Sequence, residues 1–310
     1  MARLTIIPDN TAIDFVGQRY LAFAIDGMLV LATILSLWFN GLNLGIDFTG
    51  GVVIEASSQK TIDLGSLREK LSRLGFGEVA LQNFGTDKVV LIRVQPSHQV
   101  SGQEQVVAAK IKEALGADFK IDRQEAVGPK VSGELFQTGV IATTLAILMI
   151  AAYVWLRFEW QFGIAGMLAT GHDVLVAVGM YSLFQFDFNL TSIAALLLLA
   201  GYSINDTVVV FDRIRENRRK FRQMPLGELI NLSTNQTLSR TFLTSFTTAL
   251  SVVPLILFGG EALFGFGATI LWGIIIGTYS SIFVASCLLL YMPTITMGGA
   301  MKTERAGAQV

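Results

Sequence analysis

Charge is what this sequence has least of. Only 15% of its 310 residues are Asp, Glu, Lys or Arg, and 52% are hydrophobic. An ordinary soluble domain carries about 25% charged residues. The length would suit one or two soluble domains, but the polar coat they need is missing. Disorder is excluded as well, because it requires low hydrophobicity and high net charge. The formal net charge is −1, so no basic excess points to nucleic acid. A single cysteine, Cys287, excludes an intramolecular disulfide and any multi-cysteine metal site. Walker motif, catalytic triad and ligand cluster are all missing. An enzyme therefore ranks last, and neither cofactor nor metal is expected. Against six prolines stand thirty glycines, a balance that suits closely packed membrane helices.

What is present is apolar runs. A membrane helix needs about 20 mostly apolar residues. Six stretches approach or exceed that length: 20–39, 136–156, 163–184, 190–211, 241–258 and 264–291. The sixth is long enough to call for tilt or a bend. The first has Asp9 and Asp14 in its polar lead and no small-x-small site after it, so it reads as a retained helix rather than a signal peptide. Arg213, Arg215, Arg218, Arg219, Lys220 and Arg222 lie between the fourth and fifth runs. Arg157 follows the second, Arg3 and Arg19 precede the first, and Lys302 and Arg305 follow the last. With six spans all of these fall on one side, which the positive-inside rule makes the cytoplasm. The rule alone accounts for the Arg run, with partner docking as the alternative. The expected partition is a cytoplasmic segment 1–19, a first span 20–40, an outside domain 43–135, and spans two to six within 136–291. A basic cytoplasmic loop is expected at 212–238 and a cytoplasmic tail at 292–310.

Segment 43–135 holds about half of the charged residues. Strand-like runs at 51–56, 79–84, 89–94 and 119–127 alternate with helical spacing at 62–74 and 103–115. Gly75 and Gly116 are stop signals. The order βαββαβ predicts a small ferredoxin-like α+β domain. No nucleophile–base pair or phosphate loop appears in it, and His98 reads as a solvated loop residue. Such a domain suits binding or force transmission better than catalysis.

The polar residues inside the apolar runs carry the functional signal. A charge in the bilayer costs roughly 2.5–3.5 kcal/mol. Asp206 lies six residues inside Asp212, roughly 9 Å from the basic end of the fourth run. Tyr202 and Ser203 precede it by four and three positions and share its face. Asp212 reads as a boundary residue paired with nearby arginines. The fifth run opens at Arg240 and continues with Thr244, Thr247, Thr248 and Ser251 on one helical stripe. Such hydroxyls also serve merely as glue between helices or bond back to their own carbonyls. Arg240 reaches the depth of Asp206 only if its helix begins within 231–239. An Asp that meets and leaves an Arg as the protein changes shape changes its hold on a proton. His172 and Asp173 stand mid-span in the third run, where packing and proton relay are equally open readings. Asp26 reads as near-interfacial and Glu261 as a solvated turn residue. Gly273 and Gly277 form a GxxxG that suits close helix packing in this chain or with a partner.

Four motifs occur together: Gly45-Ile46-Asp47-Phe48-Thr49-Gly50-Gly51, the run Glu125 to Leu135, Gly201-Tyr202-Ser203-Ile204-Asn205-Asp206-Thr207, and Phe211-Asp212-Arg213-Ile214-Arg215-Glu216-Asn217. Gly277-Thr278-Tyr279-Ser280-Ser281 extends them. They closely resemble the SecF family of bacterial Sec translocase subunits, over about 15–293. The resemblance implies an α-helical polytopic membrane protein with six helices, half of an RND-type bundle, and the outer domain between helices 1 and 2. It implies a bacterial inner-membrane location and pairing with SecD. It also implies work beside the SecYEG channel on exported unfolded polypeptide, with YajC as a further candidate partner. The proton gradient would drive the work, with sodium as the alternative ion. Family proton-pathway positions map onto Asp206 and Arg240, with Thr244 and Thr247 as path lining. Tyr202, Ser203, His172 and Asp173 are candidate polar support. An RND-type small-molecule exporter half and a non-coupling scaffold of the Sec channel are the competing classes.

Overall fold

The computed structural model describes residues 11–96 and 103–293. Arg3, His98, Lys302 and Arg305 lie outside them. The first helix, α1 (Arg19–Phe39), ends where the Asn40 amide donates to the Ser36 carbonyl. Before it, the chain lies along another helix described below: the Ile13 and Val16 amides donate to the side chains of Asn235 and Asn231.

The outer domain begins with a short turn of helix, α2 (Ile46–Thr49), and two glycines. Gly50 sits at φ 73° and Gly51 at φ 125°, conformations that L side chains rarely adopt. A Cβ on Gly51 would also lie 2.6 Å from the Val94 carbonyl oxygen. Then follow β1 (Gly51–Ser58), α3 (Leu64–Ser72), β2 (Gly77–Phe84), β3 (Thr86–Pro96), α4 (Glu104–Leu115) and β4 (Phe119–Val127). The strands pair antiparallel in the order β2-β3-β1-β4, the split-βαβ arrangement expected from the element order. Val52, Ile54, Val90, Ile92, Leu67, Leu71, Val107 and Ile111 form a core between one sheet face and the two helices. The turn between β2 and β3 is tighter than the Gly85-to-Lys88 span suggests. Gly85 alone makes it at φ 71°, with a register shift beside it.

Five further apolar helices follow: α5 (Pro129–Arg157), α6 (Trp160–Phe184), α7 (Leu190–Lys220), α8 (Leu226–Phe258) and α9 (Gly260–Ser280). With α1, six helices among the described residues are long and apolar enough to cross a membrane. Local chemistry sets their ends. Pro129 occupies the first turn of α5, where its missing N–H costs nothing. Gln185 ends α6 in the left-handed conformation, and Asn189 and Ser192 form a capping box for α7. Beyond Ser280 the sixth span continues through a π turn, Ser281–Ala285.

Helix persists where a cytoplasmic loop over 212–238 is expected. The gap between α7 and α8 is only residues 221–225. The polar residues of 229–237 stay helical because they are packed. Ser233, Thr234 and Thr237 are buried, and Asn217 donates to Ser233 Oγ and Gln236 Oε1 at 2.9 and 2.8 Å. Helix α7 is central, packing on α5, α6, α8 and α9, while α1 packs on α6. The GxxxG residues serve contacts within the chain. A Cβ on Gly273 would lie 2.1 Å from Leu199 Cδ1, and one on Gly277 3.3 Å from Ser203 Cβ.

Candidate functional site

Asp206 sits on α7 and is 2% exposed. Its Oδ2 has no hydrogen-bond donor. The side chains that act on the carboxyl come from α8: Thr244, Arg240 and Ser245. Because α8 begins at Leu226, Arg240 stands four turns along it rather than at its mouth. Arg240 is exposed; its charge acts on the carboxyl, but among the described residues the two form no ion pair. The hydroxyls beside the carboxyl also have other partners. Thr244 donates to the Thr241 carbonyl at 2.9 Å, and Ser245 shares a 2.6 Å bond with Thr278 of α9. Tyr202 donates to Ser245 Oγ at 3.1 Å, which ties it to this group one residue removed. Thr247 is exposed and donates back to the Leu243 carbonyl at 2.8 Å. Thr248 and Ser251 likewise donate to carbonyls of their own helix. A buried carboxyl thus faces a stripe of rotatable hydroxyls with a guanidinium nearby but unpaired. Such a group holds its charge only at a cost until a proton or the cation arrives.

Ser203 belongs to a different cluster. It donates to Asp173 Oδ2 at 2.5 Å, and Ser280 of α9 donates to the same oxygen at 2.7 Å. His172 Nδ1 lies 3.0 Å from Asp173 Oδ1. On its other side, His172 Nε2 is 3.5 Å from Oδ1 of Asp26. Asp26 is 7% exposed, because α1 packs over α6 there. At the boundary, Arg157 Nη2 donates to both Asp212 oxygens at 2.9 Å. Glu261 lies on a helical residue whose side chain is outside those described.

Two groups carry no signal in apolar periodicity. Ser245, Thr278 and Ser280 are ordinary helix-glue residues until three helices bring them to the carboxyls, although Thr278 and Ser280 stand in one of the motifs quoted above. The second group joins the outer domain to the bundle. Arg93 of β3 pairs with Asp187 of the α6–α7 turn at 2.5 Å and donates to Asn43 Oδ1 at 3.1 Å. Asn43 donates to Asp187 at 2.8 Å, and Asp47 accepts from the Leu190 amide at 3.0 Å. Above this latch the free sheet face and the turn enclose a cavity of about 760 Å³, lined by Arg93, Arg123, Glu125, Phe184, Phe186 and Phe264 among others. Among the described residues no group of three His, Cys, Asp or Glu side chains is arranged to hold a metal ion.

Six apolar helices, an outer ferredoxin-like domain and ionisable groups buried between the helices define a polytopic membrane protein with an RND-like half-bundle. The family described as "Protein export membrane protein SecD/SecF, C-terminal" matches residues 106–294, and the "SecD/SecF GG Motif" matches 35–62. The protein translocase subunit SecF of Cereibacter sphaeroides is 42% identical, over 99% of this chain and 97% of that one. SecF of Rickettsia felis is 41% identical, over 92% and 94%. The crystal structure of SecDF, a translocon-associated membrane protein from Thermus thermophilus, superposes with a TM-score of 0.82 at 36% identity. It is matched over 92% of this chain, which spans 39% of the SecDF chain. SecDF in a super-membrane-facing form matches with a TM-score of 0.66 at the same identity. The chain belongs to the SecF family of protein translocase subunits. It is a multi-pass membrane protein with a transport role.

Proposed function

We propose that this subunit uses the proton motive force to help complete protein export through the SecYEG channel, paired with SecD in the bacterial inner membrane. The observation that carries this reading is the Asp206 carboxyl. It is buried in a spanning helix, has a donorless oxygen, and has Arg240 of the next helix close but unpaired. Protonation from one side, followed by helix movement that brings Arg240 to the carboxylate, releases the proton to the other side. One charge crossing about 100 mV yields roughly 2.3 kcal/mol, a bias of about fiftyfold between two conformations. Thr244 and Ser245 supply rotatable hydroxyls along the route, and Thr247 lines its mouth. Sodium is the alternative ion.

The match to 39% of the SecDF chain supports a separate SecD chain supplying the remainder. The basic ends of the helices, Arg157 and Arg213 to Arg222, support cytoplasmic termini by the positive-inside rule. Unfolded exported polypeptide is the cargo, and YajC is a further candidate neighbour. The test is Asp206→Asn in an export assay with subunit levels monitored. Loss of the gradient-dependent part of export at unchanged SecF and SecD levels is expected. Wild-type export would refute the proton-switch role and leave the scaffold reading.

A further inference from the structure

We propose that Asp26, His172 and Asp173 form a second proton-holding site, separate from Asp206, in which one exchangeable proton is shared between His172 and Asp26 while Asp173 anchors the ring. The three residues sit where α1, α6, α7 and α9 meet. Asp173 has no exposed side-chain surface, and the side chains of His172 and Asp26 are each 10% exposed. Asp173 is well supplied with donors: Ser203, Ser280 and His172 Nδ1 all reach it. Asp26 is the opposite case. Both of its oxygens are buried without a donor, and so is His172 Nε2. These orphaned atoms face each other at 3.5 Å, a gap that a sub-ångström shift of α1 on α6 closes to hydrogen-bond length. Buried polar atoms are rarely left unmatched unless they have a use.

The step is balanced. The proton on Nε2 of an imidazolium passes to Oδ1 of the Asp26 carboxylate. The ring becomes neutral imidazole, still donating Nδ1–H to Asp173, and Asp26 becomes a carboxylic acid. The three groups carry a net charge of −1 before and after. The other groups facing them are Ser203 from α7 and, from α9, Tyr279 and Ser280. The Tyr279 hydroxyl donates to the Ala22 carbonyl of α1 at 3.1 Å. Asp206 does not take part, since its neighbours Thr244, Arg240 and Ser245 all belong to α8. The close approach of the helices maintains the site. Gly179 of α6 lies so near Thr33 of α1 that a Cβ would meet its Oγ1 at 2.2 Å.

The chain has two histidines, so His98→Gln leaves His172 as the sole imidazole. The full-length variant, labelled with ¹⁵N-histidine and reconstituted in lipid nanodiscs, is titrated by NMR over about pH 5–9. A single-step titration of His172 is expected. Asp26→Asn lowers its midpoint by about one pH unit, tenfold in proton affinity. Asp26→Glu keeps the midpoint, and Asp206→Asn leaves it in place whatever that substitution does to export. An imidazole that stays in one state across the range, or a midpoint that Asp26→Asn does not move, overturns the proposal. The first of these results needs no substitution inside the site, so misfolding of Asp26→Asn does not rescue the idea.

Discussion

Breaking the Arg93–Asp187 pair weakens the docking of the outer domain on the membrane bundle, and burial sets the size of the effect. Exposed ion pairs are worth about 0.2–1 kcal/mol, whereas removing one partner of a fully buried pair costs about 3–5 kcal/mol. The Arg93 side chain is 16% exposed and Asp187 40%, between these limits. Asp187 also keeps the Asn43 amide when Arg93 is removed. Arg93→Ala is therefore expected to cost about 1–2 kcal/mol, a five- to thirtyfold shift toward an undocked domain. Arg93→Asp costs more, because it adds repulsion. The reversed pair Arg93→Asp with Asp187→Arg recovers about half or more, with a coupling of about 1–2 kcal/mol. Cys287 is fully buried, so spin labels can be directed to cysteines introduced at exposed Lys70 and Thr191. Pulsed dipolar spectroscopy of that pair should give one narrow distance in the parent and a second, longer population in Arg93→Ala. Identical distributions in the parent and both single variants, with a reversed pair that is merely additive, would refute the latch.

Gly273→Ala is expected to overpack Leu199 and cost about 1–3 kcal/mol. Gly201→Ala, where a Cβ meets nothing within 4 Å, should be near neutral; thermal unfolding in detergent compares the two. Asn217→Ala removes the donor that joins α7 to α8 through Ser233 and Gln236. It should cost about 1–2 kcal/mol and speed proteolysis between α7 and α8, and an unchanged digestion rate would count against it. In the outer domain, burial pushes the Glu55 carboxyl above the ordinary glutamate range, the Asp122 charge adds to this, and Arg123 opposes it. Folded Glu55 thus holds its proton more tightly than the unfolded chain. Its contribution is present below the ordinary range and is lost as pH rises through the raised value. Glu55→Gln should slow amide exchange across β1 relative to the parent at about pH 7, with the difference vanishing near pH 4; equal ratios at both pH values would contradict the assignment.

Local pattern alone determined much of this protein. The six spans need only apolar length, and the order and type of the outer elements need only period and stop signals. Gly50 and Gly51 need only backbone sterics, and Asp206 stands out because a carboxylate in an apolar run is costly wherever the helix packs. Tertiary structure decided which polar groups meet. Spacing puts Ser203 and Asp206 on one face of α7, yet the face is wide enough to be divided. Packing turns Ser203 toward Asp173 and Asp206 toward α8. The distance of Asp26 along α1 does not reveal its burial, which comes from the packing of α6 over α1. Residues 212–238 read as loop from their polarity, yet all but 221–225 are helical, because Asn217 of α7 finds Ser233 and Gln236 of α8. Arg93 and Asp187 are 94 positions apart. The physical reason is common to all of these. Helical period states which residues share a stripe, but the neighbour that stripe faces depends on rotations and crossings set by the whole bundle.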